Sequence, residues 1–277
     1  MTSSVLAADA GLKFPELEEY LATLDFNLMP TVMERAKYVR AGYEESYRAA
    51  LKSAEEAGEE VLTEVQRQLC RSDLYFLAIH ALEWRHFRCD WGFVACKMVE
   101  WDPYGCLDLW AREHYKTSTI SIARTIQEVL IDPEITIAIF SFSSKLAQSI
   151  LSPIAEELLN NDFLKGIFPD ILWQEKPDRN WSIQDGIQVH RRSRRRERTI
   201  EAWGLIDSQP VGKHYDIRKY DDIITEKEVN TVEMVKKAMK AWELSLSLGV
   251  SPVPGVSEGG KEAYIGTRYR YDDPYSH

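Results

Sequence analysis

The feature that most constrains the fold is an alternation of strand-like and helix-like patterns after the turn signal Asp102-Pro103-Tyr104-Gly105. A short apolar run at residues 106–110 is followed by residues 117–130, where apolar side chains recur at helical spacing. Residues 135–140 are rich in β-branched side chains and predict a buried strand. Strands that alternate with helices form a largely parallel sheet with helices on both faces, so the sequence predicts an α/β fold.

The same patterns continue towards the end of the sequence. They predict a helix that begins near Ser144 and has a kink or restart at Pro153, followed by a hairpin over residues 187–205. A strand is predicted over residues 215–220. A second helix is predicted from a capping box at Asn230 and Glu233 to Gly249, and a short strand over residues 263–267. The Pro-, Gly- and Ser-rich residues 251–260 are predicted to form a loop.

The first part of the chain is predicted to be helical and acidic. Residues 15–21 begin one amphipathic helix, and a second is expected over residues 43–70. Residues 74–82 are apolar on almost all sides, which is typical of a buried helix. We therefore expect an N-terminal helical region, residues 1–72, followed by a second domain, residues 73–277.

Composition limits the classes of protein to consider. The 277 residues are 44% hydrophobic, enough for a full core, and the net charge of -10 argues against a surface that binds DNA everywhere. The four cysteines form no C-x-x-C pair, so they indicate reduced, buried thiols rather than a zinc ribbon or a redox motif. Without a signal peptide or an apolar run of roughly 20 residues, a soluble intracellular protein without membrane contact is expected.

Residues 107–120 have the layout of a phosphate-binding loop, in which a short strand leads through a turn to Lys116 and Thr117 at the start of a helix. Ala111 lies beside the first of the two positions where such loops carry glycine, and Tyr115 occupies the second. The start of the following helix would point its N–H groups at an anion. The alternative is a surface turn with an ordinary lysine, although a lone lysine there opposes the helix dipole.

A pair of carboxylates follows a predicted strand, as such a loop requires. Asp221 would hold Mg²⁺ and Asp222 would orient the attacking water. The alternative is a solvated turn after the strand, which two aspartates also suit. Arg218 and Lys219 favour that alternative, since a central parallel strand should be apolar, and the sequence offers no explanation for them.

Taken together, three segments resemble the large terminase subunits of tailed bacteriophages, the ATPases that pump double-stranded DNA into a preformed capsid. The segments are LDLWAREHYKTST (residues 107–119), HYDIRKYDDIIT (residues 214–225) and AYIGTRYRYDDPY (residues 263–275), in this order. Three further segments are similar to that family, namely ITIAIFSFSSKLA, FPDILW and EAWGLIDSQPVGKHYD. The resemblance extends from Leu74 to the end of the sequence.

The resemblance implies a fold and a site. The fold is a P-loop NTPase of the additional-strand, RecA-like type over residues 73–277, with a degenerate phosphate loop. Lys116 would contact the β- and γ-phosphates, Arg112 would sense or stabilise the γ-phosphate, and Thr117 would bind Mg²⁺ together with Asp221. Asp222 stands where many relatives have a catalytic glutamate. The implied ATP-binding residues are Ala111, Arg112, Glu113, His114, Tyr115, Lys116, Thr117 and Ser118, and the implied coupling motif is Gly266, Thr267 and Arg268.

The family also implies partners and a location. These are double-stranded DNA, the portal protein, the small terminase subunit and a pentameric ring of this chain, in the host cell cytoplasm at the portal vertex of the procapsid. The isolated chain is expected to be monomeric. Relatives continue into a nuclease domain of the RNase H type, so we expect this chain to be the ATPase part of a longer protein and to cleave no DNA. The alternatives are a helicase-like DNA-stimulated ATPase and a non-catalytic module that docks on the portal or the small subunit.

Two further groups of residues have open interpretations. The basic segment, residues 190–198, could contact DNA phosphates, supply an arginine finger to a neighbouring subunit through Arg194, Arg195 and Arg196, or be a solvated hairpin tip. Trp101, Tyr104 and Trp110 flank the loop and are either core residues or a stacking surface for adenine. His114 is expected to be a structural loop residue.

Overall fold

The computed structural model describes residues 32–224, 232–254 and 259–267. Within these ranges the chain forms two compact units, one from residues up to 101 with Gly166–Phe168, and one from the remainder. The division falls at the turn Asp102-Pro103-Tyr104-Gly105, and the boundary at 72/73 stays a prediction. The helix predicted over residues 15–21, the capping residue Asn230 and the coupling residue Arg268 lie outside the described residues.

The first unit is helical, as predicted. It contains α1 (Val32–Ala57), α2 (Glu59–Ser72), the short α3 (Leu74–Phe76), which runs on into a π-helical turn (Leu77–Ala81), a 3₁₀ turn (Arg85–Phe87) and α4 (Asp90–Trp101). The single helix predicted over residues 43–70 is wrong: Gly58 separates two helices with a φ of 118°, in a region that side chains with a Cβ avoid. In the described part of the chain, no helix combines the length and apolarity needed to span a membrane.

The second unit is built on a seven-stranded sheet. Its strands are β1 (Leu107–Asp108), β2 (Ile137–Ser141), β3 (Trp181–Ser182), β4 (Gly186–Ile187), β5 (Ile200–Gly204), β6 (Ile217–Asp221) and β7 (Lys261–Ile265). Their order is β1-β7-β6-β2-β5-β4-β3. The first five strands in this order run parallel, whereas β4 and β3 add antiparallel pairs at one edge. The predicted α/β class with a mostly parallel sheet is confirmed.

Helices flank this sheet. A π-helical segment (Thr117–Ala123) continues into α5 (Arg124–Ile131), and α6 (Ser144–Asn160), α7 (Asp162–Ile167) and α8 (Val232–Leu246) follow. Every residue of β2 and of β6 is buried, as expected for strands in the middle of a covered sheet. On the α8 side, Phe140 and Tyr220 stack with ring centroids 5.2 Å apart in an apolar cluster that includes Ala238 and Leu248.

Most elements predicted for the second unit are confirmed, with three differences. The hairpin exists, because β4 and β5 pair through Ile187 and Ile200, but the additional strand β3 was not predicted. The α6 helix passes through Pro153 without a restart. The end of α8 predicted at Gly249 is wrong: the helix ends at Leu246, whose carbonyl accepts a hydrogen bond from the Arg218 guanidinium. A buried cation at the last carbonyls suits the end of a helix.

Candidate functional site

The carboxyl ends of β1, β7 and β6 lie side by side at one edge of the sheet, which we call the carboxyl edge. Hydrogen bonds extend the pairing beyond the strands: Asp222 N–H donates to the Ile265 carbonyl over 2.9 Å, and Gly266 N–H donates to the Asp108 carbonyl over 3.1 Å. The predicted phosphate loop, acidic pair and coupling motif therefore meet at this edge. Open α/β sheets bind ligands at the carboxyl ends of their strands.

The loop adopts backbone conformations that normally favour glycine. Tyr115, at the second glycine position, has a φ of 60°, and Glu113 has a φ of 66°. Both lie in the left-handed region, which costs an L-residue about 1–2 kcal/mol. Strain of this kind is commonly found at binding sites. At position 115 the backbone thus takes the left-handed conformation that a glycine would adopt easily.

Lys116 is the side chain that links the three segments. It is buried, with 8% of its surface exposed. Its Nζ donates to Asp222 Oδ1 over 3.1 Å and to Thr267 Oγ1. A lysine at the start of a helix would be destabilised by the helix dipole, and the Asp222 carboxylate offsets that effect in this structure. The ammonium is therefore held at the centre of the site rather than in solvent, which argues against an ordinary surface lysine.

Asp221 is buried beneath Lys116 and is held by two hydroxyls. Ser121 Oγ donates to Oδ2 over 2.5 Å, and Thr117 Oγ1 donates to Oδ1 over 3.3 Å. Burial raises the pKa of Asp221 to about 6, and the Asp222 carboxylate adds to this, while the two hydroxyls and the Lys116 charge oppose it. Ser121 was not predicted as a site residue. It lies four residues after Thr117, and that spacing places both hydroxyls on one helix face.

Asp222 differs from Asp221 in exposure and backbone. Its side chain is about one-third exposed, and its φ of 44° is in the left-handed region, which aspartate tolerates better than most residues. The bend turns Asp222 away from the buried face of β6 and towards Lys116. One carboxylate of the pair is therefore buried among hydroxyls, and the other is open to solvent and to the lysine.

The other predicted loop residues lie on the surface. They are Ala111, Arg112, Glu113, His114 and Tyr115, while Thr117 and Ser118 are half-buried. His114 Nδ1 lies 2.9 Å from the Arg112 carbonyl, which agrees with its predicted structural role in the loop.

Trp101, Tyr104 and Trp110 are not all core residues. Trp101 is 79% exposed, so the core interpretation is wrong for it. Tyr104 is half-buried, and its hydroxyl donates to Glu128 over 2.7 Å. That hydrogen bond gives Tyr104 an internal role. Of the four free thiols, Cys70 and Cys96 are buried as predicted, but Cys89 and Cys106 are partly exposed.

The two charged residues of β6 have internal partners on opposite faces of the sheet. Arg218 forms an ion pair with Glu262 and donates to the Ser245 carbonyl over 3.0 Å at the end of α8. Lys219 is 1% exposed and lies on the face that bears Asp221. Its Nζ donates to the Ile120 carbonyl over 2.8 Å and lies 2.8 Å from Glu128 Oε2. Burial lowers the pKa of Lys219 to about 8, against the opposing effect of Glu128. The strand is thus central and buried despite its charges.

The basic segment lies at the amino ends of the parallel strands, opposite the carboxyl edge. It directly precedes β5, and β5 runs parallel to β6 because both pair in parallel with β2. Arg195 forms an ion pair with Asp216 at 2.5 Å, just before β6. Strands of about five residues separate the two edges by about 15 Å. The segment therefore does not face the candidate site of its own chain.

Part of this basic segment is used internally. The Arg191 guanidinium donates to the carbonyls of Arg195 and Glu197, and the Arg192 and Ser193 N–H groups donate to the Glu134 carboxylate over 2.6 and 2.8 Å. Hydrogen bonding from Ser193 and Arg192 lowers the pKa of Glu134. The interpretation as a fully solvated tip is therefore wrong for Arg191 and Arg195. The exposed side chains of the segment are those of Arg192, Arg194 and Arg196.

The donor set at the carboxyl edge fits a magnesium ion bound together with phosphates. Among the described residues, no three His, Cys, Asp or Glu side chains are grouped so that they could hold a metal by themselves. Mg²⁺ in nucleotide sites needs only one or two protein oxygens, because water and phosphate supply the others. Thr117 Oγ1 and Asp221 Oδ1 are such a pair, and the buried Asp221 carboxylate is an anion that a cation would stabilise.

Comparison with known proteins identifies no family for this chain. No protein-family model matches the chain, and no curated protein matches it significantly.

Proposed function

We propose that the chain binds ATP with Mg²⁺ at the carboxyl edge of its sheet and hydrolyses it. The observation that carries the proposal is the convergence of two segments more than 100 residues apart: Lys116 Nζ lies 3.1 Å from Asp222 Oδ1, and Thr117 Oγ1 lies 3.3 Å from Asp221 Oδ1. P-loop NTPases use a lysine and a hydroxyl at the start of a helix together with carboxylates at the end of a nearby strand.

The strand order supports the same class. β7 lies between β1, which leads into the loop, and β6, which ends in the acidic pair. A strand in this position is the mark of the additional-strand, RecA-like P-loop NTPases. The strand between them also carries Gly266 and Thr267 at its carboxyl end, where the resemblance implies a coupling motif.

The site residues can be given roles that follow from their contacts. Lys116 would donate to the β- and γ-phosphates in place of Asp222. Thr117 and Asp221 would hold Mg²⁺, which would offset the charge of the phosphates. Asp222, the exposed carboxylate, would accept a proton from the attacking water and orient it. Arg112 on the exposed loop would stabilise charge that develops on the γ-phosphate.

The larger function is a DNA-packaging motor, and it is supported by the terminase resemblance of the three quoted segments. In that role the chain would act in a ring with the portal protein, the small terminase subunit and double-stranded DNA, in the host cell cytoplasm at the portal vertex. Release of the γ-phosphate would move Thr267, which contacts Lys116. A helicase-like ATPase of the same fold is distinguished by strand separation during translocation.

The test is the rate of ATP hydrolysis by Lys116→Ala and Asp222→Asn. Each should lower kcat by about 100-fold or more, since each removes a group that acts on the transition state. Lys52→Ala and Asp185→Asn are matched controls, because they make the same chemical changes at exposed positions outside the site. Controls and wild type should hydrolyse ATP equally.

Two results would contradict the proposal in different ways. An unchanged rate in either site variant would reject the role given to that residue. A wild-type chain that binds no fluorescent ATP analogue at millimolar Mg²⁺ would reject the site as a whole and favour a non-catalytic docking module.

A further inference from the structure

A cation is buried directly beneath the candidate site, on the strand that carries the acidic pair. The Lys219 ammonium donates to the Ile120 carbonyl over 2.8 Å and lies 2.8 Å from Glu128 Oε2. Burial of a charge is costly unless it is paired and hydrogen-bonded. A methionine or leucine would fill the same space without that cost, so the charge calls for an explanation.

The contact with Ile120 places Lys219 in the framework of the site. Ile120 belongs to the π-helical segment (Thr117–Ala123) and lies between the two residues whose hydroxyls hold Asp221. Lys219 and Asp221 are two residues apart on β6, so their side chains project from the same face of the sheet. Lys219 thus binds the backbone of this segment at Ile120. The hydroxyls of Thr117 and Ser121, on either side of Ile120 in the sequence, bind Asp221.

The π-helical form of this segment makes such a contact significant. The segment ends with Arg124 N–H bonded to the Thr119 carbonyl, five residues back. π-Helical turns are rare, are less stable than α-helical ones, and occur often at functional sites. A fixed donor on the Ile120 carbonyl would hold this wide turn against the strand.

Glu128 holds the lysine in place. It is 3% exposed, it accepts a hydrogen bond from the Tyr104 hydroxyl over 2.7 Å on Oε1, and Arg124 Nε lies 3.4 Å from the same oxygen. Its other oxygen faces Lys219. The carboxylate is therefore held on both sides and fixes the direction in which the lysine points.

We propose that Lys219 is a positioning residue for magnesium-dependent nucleotide binding: it fixes the Ile120 carbonyl and so keeps the Thr117 and Ser121 hydroxyls on Asp221. This inference rests on the proposed function, and it adds a residue that does not itself touch nucleotide or metal. The competing explanation is that the Lys219–Glu128 pair serves stability alone.

The two explanations are separated by a double variant that is compared with wild type and with a control on the other face of the strand. In this variant the Glu128→Gln change keeps the acceptor for Tyr104. The double variant Lys219→Met/Glu128→Gln removes both charges together, which avoids an unpaired buried charge; replacement of whole buried ion pairs is often neutral for stability.

The measurement is equilibrium binding of a fluorescent ATP analogue as a function of Mg²⁺ concentration, with thermal unfolding recorded alongside. Replacement of a residue that orients a metal ligand typically lowers metal affinity or activity by about 10–100-fold. The double variant should therefore need about 10-fold more Mg²⁺ for half-saturation than wild type does.

A matched control lies on the other face of the same strand. Arg218→Met/Glu262→Gln also removes an ion pair with a buried arginine from β6, but one that contacts α8 rather than the π-helical segment. Its Mg²⁺ half-saturation should equal that of wild type, even if its thermal stability falls. An equal shift in this control would show a general effect of destabilisation and would overturn the proposal.

Other results also decide the matter. Equal Mg²⁺ half-saturation in the folded double variant and in wild type would overturn the role of Lys219 while leaving the proposed ATP site intact. If the double variant does not fold, Ser121→Ala provides the second measurement, because it removes a hydroxyl that Lys219 is proposed to hold in place. An unchanged half-saturation there would equally overturn the proposal. Absence of nucleotide binding in wild type would instead reject the proposed function itself, and this inference with it.

Discussion

At the scale of single residues, the candidate site depends on a carboxylate that burial disfavours as an anion. Asp221 is 1% exposed, and its nearest hydrogen-bond donors are the neutral hydroxyls of Ser121 and Thr117. Two hydroxyls stabilise a carboxylate less than an ion pair would. The folded protein thus contains a buried charge that is only partly compensated, in a place where a divalent cation would complete the compensation.

This arrangement predicts a pH-dependent cost to stability. The folded-state pKa of Asp221 is raised from 3.8 to about 6, so the folded protein binds this proton more tightly than the unfolded chain does. The stability that this proton contributes is fully present below about pH 4 and is lost as the pH rises through 6. At about 1.36 kcal/mol per pKa unit, the cost above pH 6 approaches about 3 kcal/mol.

The prediction is tested with Asp221→Asn, which removes the charge. Its amide oxygen can accept a hydrogen bond from one of the two hydroxyls, and its NH₂ group can donate to the oxygen of the other. Its free energy of unfolding in denaturant should exceed that of wild type at pH 8 by up to about 3 kcal/mol. The difference should disappear near pH 4. A difference that is constant across this range would show that ionisation of Asp221 is not its cause.

At the scale of elements, local patterns predicted much of the second unit, and long-range contacts account for what they missed. Apolar periodicity and turn signals predict the strands β2 and β6 and the helices that begin near Thr117 and Ser144. They do not predict the roles of Ser121 and Lys219, since the partners of Lys219 lie 99 and 91 residues earlier in the chain. Spacing within a helix or strand carries no information on such partners. The two-residue strands β3 and β4 are too short to give a period.

The loop illustrates how a motif can be kept while its letters change. Tyr115 has a φ of 60°, and glycine is the residue that adopts this conformation most easily. We therefore expect Tyr115→Gly to bind a fluorescent ATP analogue within about 3-fold of wild type. Tyr115→Val should bind about 10-fold more weakly, since a β-branched residue in the left-handed region costs at least about 1–2 kcal/mol. Equal affinity in both variants would show that the positive φ has no role in binding.

At the scale of the whole molecule, the candidate site and the exposed arginines of the basic segment lie at opposite ends of the parallel strands of one sheet. The acidic pair and Lys116 lie at the carboxyl edge, and the exposed arginines lie at the other edge, in a chain with a net charge of -10. The predicted arginine finger can therefore act only on a neighbouring subunit, and the predicted DNA contact would use a surface remote from the chain's own site.

The structure sharpens the test of these arginines. Replacement of Arg192, Arg194 and Arg196 by glutamine should lower DNA affinity and reduce the slope of its salt dependence by about 1 for each arginine–phosphate pair removed, or reduce the cooperativity of ATP hydrolysis in an assembled ring. Arg195→Gln is the comparison, because it breaks the ion pair with Asp216 and should instead lower thermal stability. If the triple variant changes neither property, the exposed arginines are a solvated surface.

The engagement of Lys116 with Asp222 and Thr267 has a consequence for how a triphosphate would enter. Entry would be an exchange of counter-ions, since the incoming phosphate must take the ammonium away from a carboxylate that already holds it. Coupling between two sites is reciprocal. If nucleotide binding moves Thr267, then a force applied to Thr267 would change the binding free energy of the nucleotide in turn. A force that opposes movement would then change the affinity for the nucleotide before the bond to the γ-phosphate is cleaved.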